Sequence, residues 1–89
     1  MIESDIAIVN RLGLHARAAA KFVHVASEFG SKVTVTKDGS RVDGKSILGL
    51  LTLAAARGAK LHLTVQGDDE LEATAKLVDL VRKRFGEDE

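Results

Sequence analysis

The chain has 89 residues, which suffices for one small domain with a single hydrophobic core. Its 13 basic and 13 acidic residues cancel and aromatic residues make up only 3% of it, so we expect no nucleic-acid partner, because such proteins usually carry a basic excess or stacking rings. With no cysteine, no signal-peptide pattern and no apolar run near the roughly 18 residues of a membrane span, the composition excludes a disulfide framework and predicts a cytoplasmic protein without membrane contact.

The first two predicted elements are a strand from Asp5 to Asn10 and a helix from Ala16 to Phe29. The strand is rich in β-branched residues and places Ile6 and Ile8 on one side. The helix has one apolar and one polar face. The apolar face comprises Ala19, Phe22, Val23, Ala26 and Phe29, and the polar face comprises Arg17, Lys21, His24 and Glu28. Gly30 is expected to end the helix in the left-handed conformation.

A hairpin and a second helix are predicted for the middle of the chain. The hairpin consists of a strand from Lys32 to Lys37, a turn at Asp38-Gly39 and a returning strand from Ser40 to Asp43. Gly44-Lys45 breaks the second of these strands. Ser46 is then placed to cap the N-terminus of a helix that extends to about Arg57, where Gly58 ends it.

The last predicted elements are a strand from Lys60 to Gln66 and a C-terminal helix. The strand alternates, with Leu61, Leu63 and Val65 pointing inward and His62, Thr64 and Gln66 pointing outward. Asp69 and Glu72 have the spacing of a capping box at the start of the helix, which closes with the basic run Arg82-Lys83-Arg84. Residues 86–89 form a polar tail that we expect to be frayed.

The predicted order β-α-β-β-α-β-α places residues 1–89 in a single α+β domain. Alternating strands have one apolar face, so a four-stranded antiparallel sheet would carry all three helices on that face and expose the other face to water. The sequence therefore predicts an open-faced two-layer sandwich.

His15 and Arg17 lie two positions apart where strand-like sequence gives way to helical sequence. A helix N-terminus offers unpaired N–H groups and the positive end of a dipole, which suit phosphate and favour a neutral imidazole. The neutral ring of His15 can attack phosphorus, and the backbone amides of Ala16 and Arg17, with the Arg17 guanidinium, can bind the phosphoryl oxygens. No second base, Walker loop or carboxylate pair accompanies them, so we expect a stoichiometric group carrier without a cofactor, not an enzyme acting alone.

Two blocks, Gly13-Leu14-His15-Ala16-Arg17 and Gly44-Lys45-Ser46-Ile47-Leu48-Gly49, closely resemble the HPr family, the histidine-containing phosphocarriers of the bacterial phosphoenolpyruvate-dependent phosphotransferase system. The resemblance covers the whole chain in length and element order. It implies that His15 accepts a phosphoryl group on Nδ1 from Enzyme I and passes it to an EIIA domain, with Arg17 as charge partner. It leaves open whether the chain serves sugar uptake or a nitrogen-type regulatory branch.

Ala18 is a departure from the family pattern, because many members have proline after the arginine. Alanine is a good helix former, so we expect the first turn of the helix to form. That turn would be less pre-ordered than with proline, which bears on the transfer rate and on the lifetime of the phosphohistidine, not on the identity of the nucleophile.

Ser46 has two compatible roles. As the N-cap of the second helix it would contribute about 1 kcal/mol to stability. The resemblance implies in addition that Ser46 is phosphorylated by the ATP-dependent HPr kinase/phosphorylase. The helix N-terminus would stabilise a phosphate there. The negative charge of that phosphate, beside the docking surface for acidic partners, would inhibit transfer.

The second predicted helix contains more apolar residues than one face of a short helix accommodates. Helical spacing directs Leu50 and Leu53 toward the sheet. The residues directed toward solvent are Ile47, Leu48 and Leu51, and basic residues at the rim are Arg17, Lys21 and Lys45. One interpretation is a fully buried helix. The other is an exposed apolar patch on which acidic-rimmed partners dock to a monomer through a modest, rapidly released interface.

The other two histidines receive no function in this interpretation. His24 is expected to be exposed on the first helix and His62 on the open face of the sheet, and their spacing does not suit a metal site. Two other functional classes fit a chain of this size. A hydrolase of acylphosphatase type would bind phosphate with an arginine in a glycine-rich loop and activate water, and a regulatory relative would signal through Ser46 by binding. Neither would need His15.

Overall fold

The structure, a computed structural model, describes residues 1–89. Four strands and three α-helices follow the predicted order, and one 3₁₀ turn follows the last helix. The strands are β1 (Ile2–Ala7), β2 (Lys32–Lys37), β3 (Ser40–Asp43) and β4 (Lys60–Gln66). The helices are α1 (Ala16–Ala26), α2 (Ile47–Thr52) and α3 (Glu70–Arg82), and the 3₁₀ turn is Arg84–Gly86.

The strands form one antiparallel sheet in the order β1-β4-β2-β3. Because side chains alternate along a strand, the central strand β4 places one set in the core, namely Leu61, Leu63 and Val65. Each helix packs a large side chain into the same core: Phe22 from α1, Leu50 from α2 and Leu77 from α3. The predicted open-faced two-layer α+β sandwich is confirmed. None of the helices has the length and apolar character needed to traverse a bilayer.

Strand β1 lies earlier in the chain than predicted. It pairs with β4 over Ile2–Ala7, so the predicted span from Asp5 to Asn10 is wrong. Ile8, just beyond the strand, is still buried and its backbone N–H donates to the Ala59 carbonyl at 2.9 Å. From there the chain leaves the sheet and forms the loop that leads into α1.

Helix α1 ends at Ala26, so the predicted end at Phe29 is wrong, and Gly30 does not adopt the left-handed conformation. The reason is a contact from the other end of the domain. The carboxylate of Asp69 accepts the backbone N–H groups of Gly30 at 2.9 Å and Ser31 at 3.0 Å, together with the Ser31 hydroxyl. These bonds hold the pKa of Asp69 below its usual value, the Ser31 hydroxyl contributing most.

The start of α3 is capped differently from the prediction. Because Asp69 is engaged with the segment after α1, it makes no side-chain bond to the first turn of α3, and the predicted capping box with Glu72 is wrong. Glu70 instead accepts the backbone N–H of Gly67 at 3.2 Å. The acidic residues of the first turn still face the positive end of the helix dipole, as the sequence indicates.

Helix α2 is shorter than predicted and does not extend to Arg57. The backbone carbonyls after its last turn bond to other parts of the molecule. Leu53 O accepts the ammonium of Lys37 at 3.1 Å, and Ala55 O accepts the backbone N–H of Leu14 at 2.8 Å. Since the bond between Ala55 and Leu14 holds the loop that precedes α1, ending α2 early helps to position that loop.

His62 lies on the open face of the sheet, as predicted. Its ring bridges two carboxylates of β1, with Nδ1 2.8 Å from Asp5 Oδ1 and Nε2 2.9 Å from Glu3 Oε1. Asp5 and then Glu3 raise the pKa of His62 above its usual value. The arrangement links β1 to β4 across their shared ladder and lies on the face of the sheet opposite the helices.

Candidate functional site

The loop before α1 has a fixed path because Gly13 packs directly against the backbone after α2. Gly13 has φ +70°, and a Cβ there would lie 2.6 Å from Ala55 O. Asn10 is completely buried, and its Nδ2 donates to Gly13 O at 2.8 Å. With the bond from Leu14 N–H to Ala55 O at 2.8 Å, these contacts fix the backbone one residue before His15.

His15 is the N-cap of α1, with extended backbone at φ −75° and ψ 176°. Its Nδ1 accepts the backbone N–H of Arg17 at 3.3 Å. An accepting ring nitrogen carries a lone pair, so in the neutral ring the proton is on Nε2. The ring remains partly exposed. The structure therefore presents Nδ1 as a hydrogen-bond acceptor at a helix N-terminus, where the first-turn amides have no partner within the helix.

Arg17 is close to His15 in sequence and its guanidinium makes no ion pair or hydrogen bond within the chain. Its side chain is exposed and lines a shallow cavity together with Arg11, Leu12, Glu87, Asp88 and Glu89. A guanidinium that is not already engaged can bind an oxyanion with two parallel N–H groups. The helix begins at Ala16, so the prediction that its first turn forms with Ala18 in place of proline is confirmed.

The C-terminal segment brings a residue to the site that sequence analysis does not predict. Residues 86–89 are expected to be frayed, whereas in the structure Glu87 Oε2 accepts from His15 Nε2 and Glu87 Oε1 accepts from Asn10 Nδ2 at 2.9 Å. Arg84 and Phe85, at φ 58° and 54°, turn the chain back toward α1. The Asn10 amide, and then His15, hold the pKa of Glu87 below its usual value.

Helix α2 exposes the side chains that helical spacing directs toward solvent. Leu48 is 76% exposed and Ile47 is 42% exposed, while Leu50 and Leu53 are buried. Leu51 is partly buried. The interpretation of α2 as a fully buried helix is therefore wrong. We call Ile47, Leu48 and Leu51 the α2 patch.

Both lysines among the three predicted rim residues donate to backbone carbonyls. Lys21 Nζ donates to Phe85 O at 2.7 Å, and Lys45 Nζ donates to Phe29 O at 2.7 Å. Their charges remain near the surface. Lys21 links α1 to the turn after α3, and Lys45, the residue before the α2 cap, binds the segment after α1. Arg17 is the rim residue whose charge is not engaged.

Ser46 caps the N-terminus of α2, as predicted. Its Oγ accepts the backbone N–H of Gly49 at 3.0 Å, and the residue is partly buried. A hydroxyl in this position lies next to the unpaired amides of the first helical turn. No group of three or more His, Asp or Glu side chains in the structure is arranged to hold a metal ion.

Comparison with known proteins gives the family of the chain. A family model described as the PTS HPr component phosphorylation site matches residues 2–83. The chain belongs to the HPr family. The phosphocarrier protein HPr of Neisseria meningitidis is 54% identical to this HPr-family chain over 89 residues and covers 100% of both chains.

Solved structures of the HPr family have the same fold. HPr from Thermoanaerobacter tengcongensis superposes with a TM-score of 0.96 at 47% identity, covering 100% of both chains. Crh, the catabolite repression protein of Bacillus subtilis, superposes with a TM-score of 0.76 at 42% identity, covering 94% of this chain and 97% of its own, and its structure is a swapped dimer. This chain is thus similar to phosphocarriers of the phosphotransferase system and to a regulatory relative, and the hydrolase alternative has no support.

Proposed function

We propose that this HPr-family chain carries a phosphoryl group on His15 Nδ1, received from phosphorylated Enzyme I and passed to an EIIA domain. The observation that carries the proposal is a partly exposed histidine at the N-terminus of α1 whose Nδ1 accepts a backbone N–H, two positions before Arg17 with its unengaged guanidinium. The chain would act as a stoichiometric carrier, because no general base or water-activating group stands beside His15 Nδ1.

The transfer step requires no base at the acceptor nitrogen. The lone pair of His15 Nδ1 forms a bond to phosphorus while the N–P bond of the donor phosphohistidine breaks and its electron pair returns to the donor nitrogen. The backbone amides of Ala16 and Arg17 and the Arg17 guanidinium then bind the phosphoryl oxygens. Catalysis of such a step rests on positioning and charge stabilisation, which a helix end and one arginine supply.

Intact mass spectrometry after incubation with Enzyme I and phosphoenolpyruvate tests this function. We expect the unmodified chain to gain one acid-labile phosphoryl group and His15→Ala to gain none. His24→Ala is the matched control, because His24 is an exposed histidine on the same helix and should leave phosphorylation intact. Gain of a phosphoryl group by His15→Ala, or no gain by the unmodified chain, would reject the proposal.

We infer further that the α2 patch is part of the surface on which Enzyme I and EIIA dock. The patch is exposed and apolar, and its first two residues, Ile47 and Leu48, directly follow Ser46. It belongs to α2, which packs against α1. Replacing Leu48 by Asp is expected to raise the KM of Enzyme I for the chain about tenfold. It should leave stability unchanged, since a mostly exposed side chain contributes little to folding.

Leu71 provides the matched control for the Leu48 experiment. It is 75% exposed, like Leu48, but lies on α3. Leu71→Asp should leave unchanged both the KM of Enzyme I for the chain and the midpoint of unfolding in urea. Equal KM values for the two aspartate variants would show that the α2 patch is not a docking surface.

Ser46 is proposed as the site of a second, regulatory phosphorylation by HPr kinase/phosphorylase. Ser46→Ala removes the Gly49 cap and should lower the free energy of unfolding by about 1 kcal/mol without slowing transfer from Enzyme I. Ser46→Asp keeps a capping oxygen and adds a charge, so it should retain stability and slow transfer roughly tenfold.

Three measurements test the Ser46 proposal. Urea unfolding of both variants measures the capping contribution, and single-turnover phosphorylation by Enzyme I measures the effect of the charge. Incubation with the kinase and ATP should label the unmodified chain and not Ser46→Ala. Labelling of Ser46→Ala to the same extent would assign the modification to another residue and end the proposal.

A further inference from the structure

The C-terminal segment of the chain, residues 84–89, forms a strap across the start of α1. Three contacts anchor it to the domain. Phe85 is buried and its carbonyl accepts Lys21 Nζ at 2.7 Å, Glu87 binds His15 and Asn10, and Arg11 binds Glu89. The contact with Arg11 is double, because Arg11 N–H donates to Glu89 O at 2.7 Å and Arg11 Nε lies 2.6 Å from Glu89 Oε2.

Glu87 is held in place independently of His15. Asn10 is completely buried and divides its amide between two acceptors, Gly13 O at 2.8 Å and Glu87 Oε1 at 2.9 Å. The other carboxylate oxygen, Oε2, faces His15 Nε2. A carboxylate that a buried amide orients and that in turn binds a histidine is the arrangement that fixes the orientation and tautomer of an imidazole in nucleophilic sites.

We propose that Glu87 is a positioning residue for phosphoryl transfer, holding the proton of His15 on Nε2 so that the lone pair of Nδ1 is directed at the helix N-terminus, where the backbone N–H of Arg17 lies 3.3 Å away. The proposal rests on the function proposed for His15. It assigns to the strap a role at the reacting ring, not only in stability.

The chemistry of the step gives the carboxylate a second effect. When Nδ1 forms its bond to phosphorus, the ring takes on positive charge and Nε2 keeps its proton. Glu87 faces that charge directly and stabilises it, and the same contact persists until the phosphoryl group leaves and the ring becomes neutral. No proton has to be gained or lost at either stage, so the ring returns to its starting state after each transfer.

Other charged groups lie around this pair. Arg11, Arg17 and Lys21 are positive and Asp88 and Glu89 are negative, with Lys21 contributing to the lowered pKa of Glu87. Because hydrogen bonds from Asn10 and His15 lower that pKa, Glu87 stays ionised to a pH below the usual range of a glutamate. The contact with Nε2 is therefore present throughout the neutral range.

NMR of the unphosphorylated chain tests the positioning without Enzyme I. We expect the Nε2 proton of His15 to exchange with water about tenfold faster in Glu87→Ala than in the unmodified chain. Glu87→Gln keeps an acceptor oxygen, so in this variant the Nε2 proton of His15 should still exchange slowly. In a carbon-detected titration, the pKa of Glu87 should rise toward its usual value in His15→Ala, since one of its two side-chain donors is lost.

Steady-state transfer from Enzyme I tests the consequence for the reaction. We expect kcat to fall about tenfold in Glu87→Ala and by an intermediate factor in Glu87→Gln, with KM unchanged in both. Asp88→Asn is the matched control, because it removes the same charge from the next residue, which makes no hydrogen bond or ion pair. It should behave like the unmodified chain.

The outcomes separate this proposal from the proposed function. If Enzyme I phosphorylates the chain and Glu87→Ala has an unchanged kcat, or transfers faster, Glu87 does not position His15. Unchanged exchange of the Nε2 proton in Glu87→Ala would overturn it as well. If Enzyme I fails to phosphorylate the unmodified chain, the carrier function falls, and the proton exchange still decides whether Glu87 holds the ring.

Discussion

Replacing Gly13 by alanine is expected to destabilise the domain by about 3 kcal/mol, combining the cost of a left-handed alanine with that of overpacking. At φ +70° the new Cβ would lie 2.6 Å from Ala55 O, a backbone atom that cannot rotate away. The loop would have to move, and with it the Leu14 bond that fixes the start of α1. We therefore expect kcat for phosphorylation by Enzyme I to fall in the variant molecules that remain folded.

Gly58→Ala is the control that isolates the close contact. Gly58 also has a positive φ, +91°, but nothing lies within 4 Å of the position where a Cβ would be. Alanine there should cost roughly 1–2 kcal/mol from backbone strain alone. Urea unfolding of both variants measures the difference. If both lose the same stability, contact with Ala55 contributes nothing, and our account of how the loop is held is wrong.

Local pattern was sufficient to predict the sheet and its open face. The alternation in β4 and the Asp38-Gly39 turn both rest on neighbouring residues, and the structure has Asp38 and Gly39 at φ 49° and 85°, as a tight hairpin requires. The end of α2 was not predictable in this way. Its following residues are mainly alanine, which favours a helix, but the bonds from Lys37 and Leu14 to the carbonyls of this segment prevail.

The residues of the candidate site also differ in whether local sequence predicts them. His15, Arg17 and Ser46 belong to short motifs whose chemistry can be interpreted from a few adjacent residues. Glu87 is 72 positions away from His15, and it arrives through two consecutive left-handed residues, Arg84 and Phe85, neither of which is glycine. Such a turn has no sequence signal, since L-residues seldom adopt that conformation. The acidic composition of the tail indicated that it is exposed to solvent. Its contacts with Asn10 and Arg11 are tertiary contacts, formed with residues far away in the sequence.

Replacing Arg17 by alanine is expected to lower kcat for phosphorylation by Enzyme I about 100-fold, the effect of removing one pre-positioned donor from a developing oxyanion. Stability should change by less than about 0.5 kcal/mol, because the side chain is exposed and makes no ion pair or hydrogen bond that folding would lose. Single-turnover kinetics at saturating Enzyme I separates this loss of kcat from a loss of docking.

Two further variants show whether geometry or charge is responsible. Arg17→Lys keeps the charge but replaces the planar fork with a point charge, so it should restore only part of the rate. Arg57→Ala removes the same charge from an exposed position in the loop before β4 and should leave the rate unchanged. A full recovery in Arg17→Lys would mean that charge alone matters, and a rate in Arg17→Ala within twofold of normal would leave the helix N-terminus as sufficient for binding the phosphoryl oxygens.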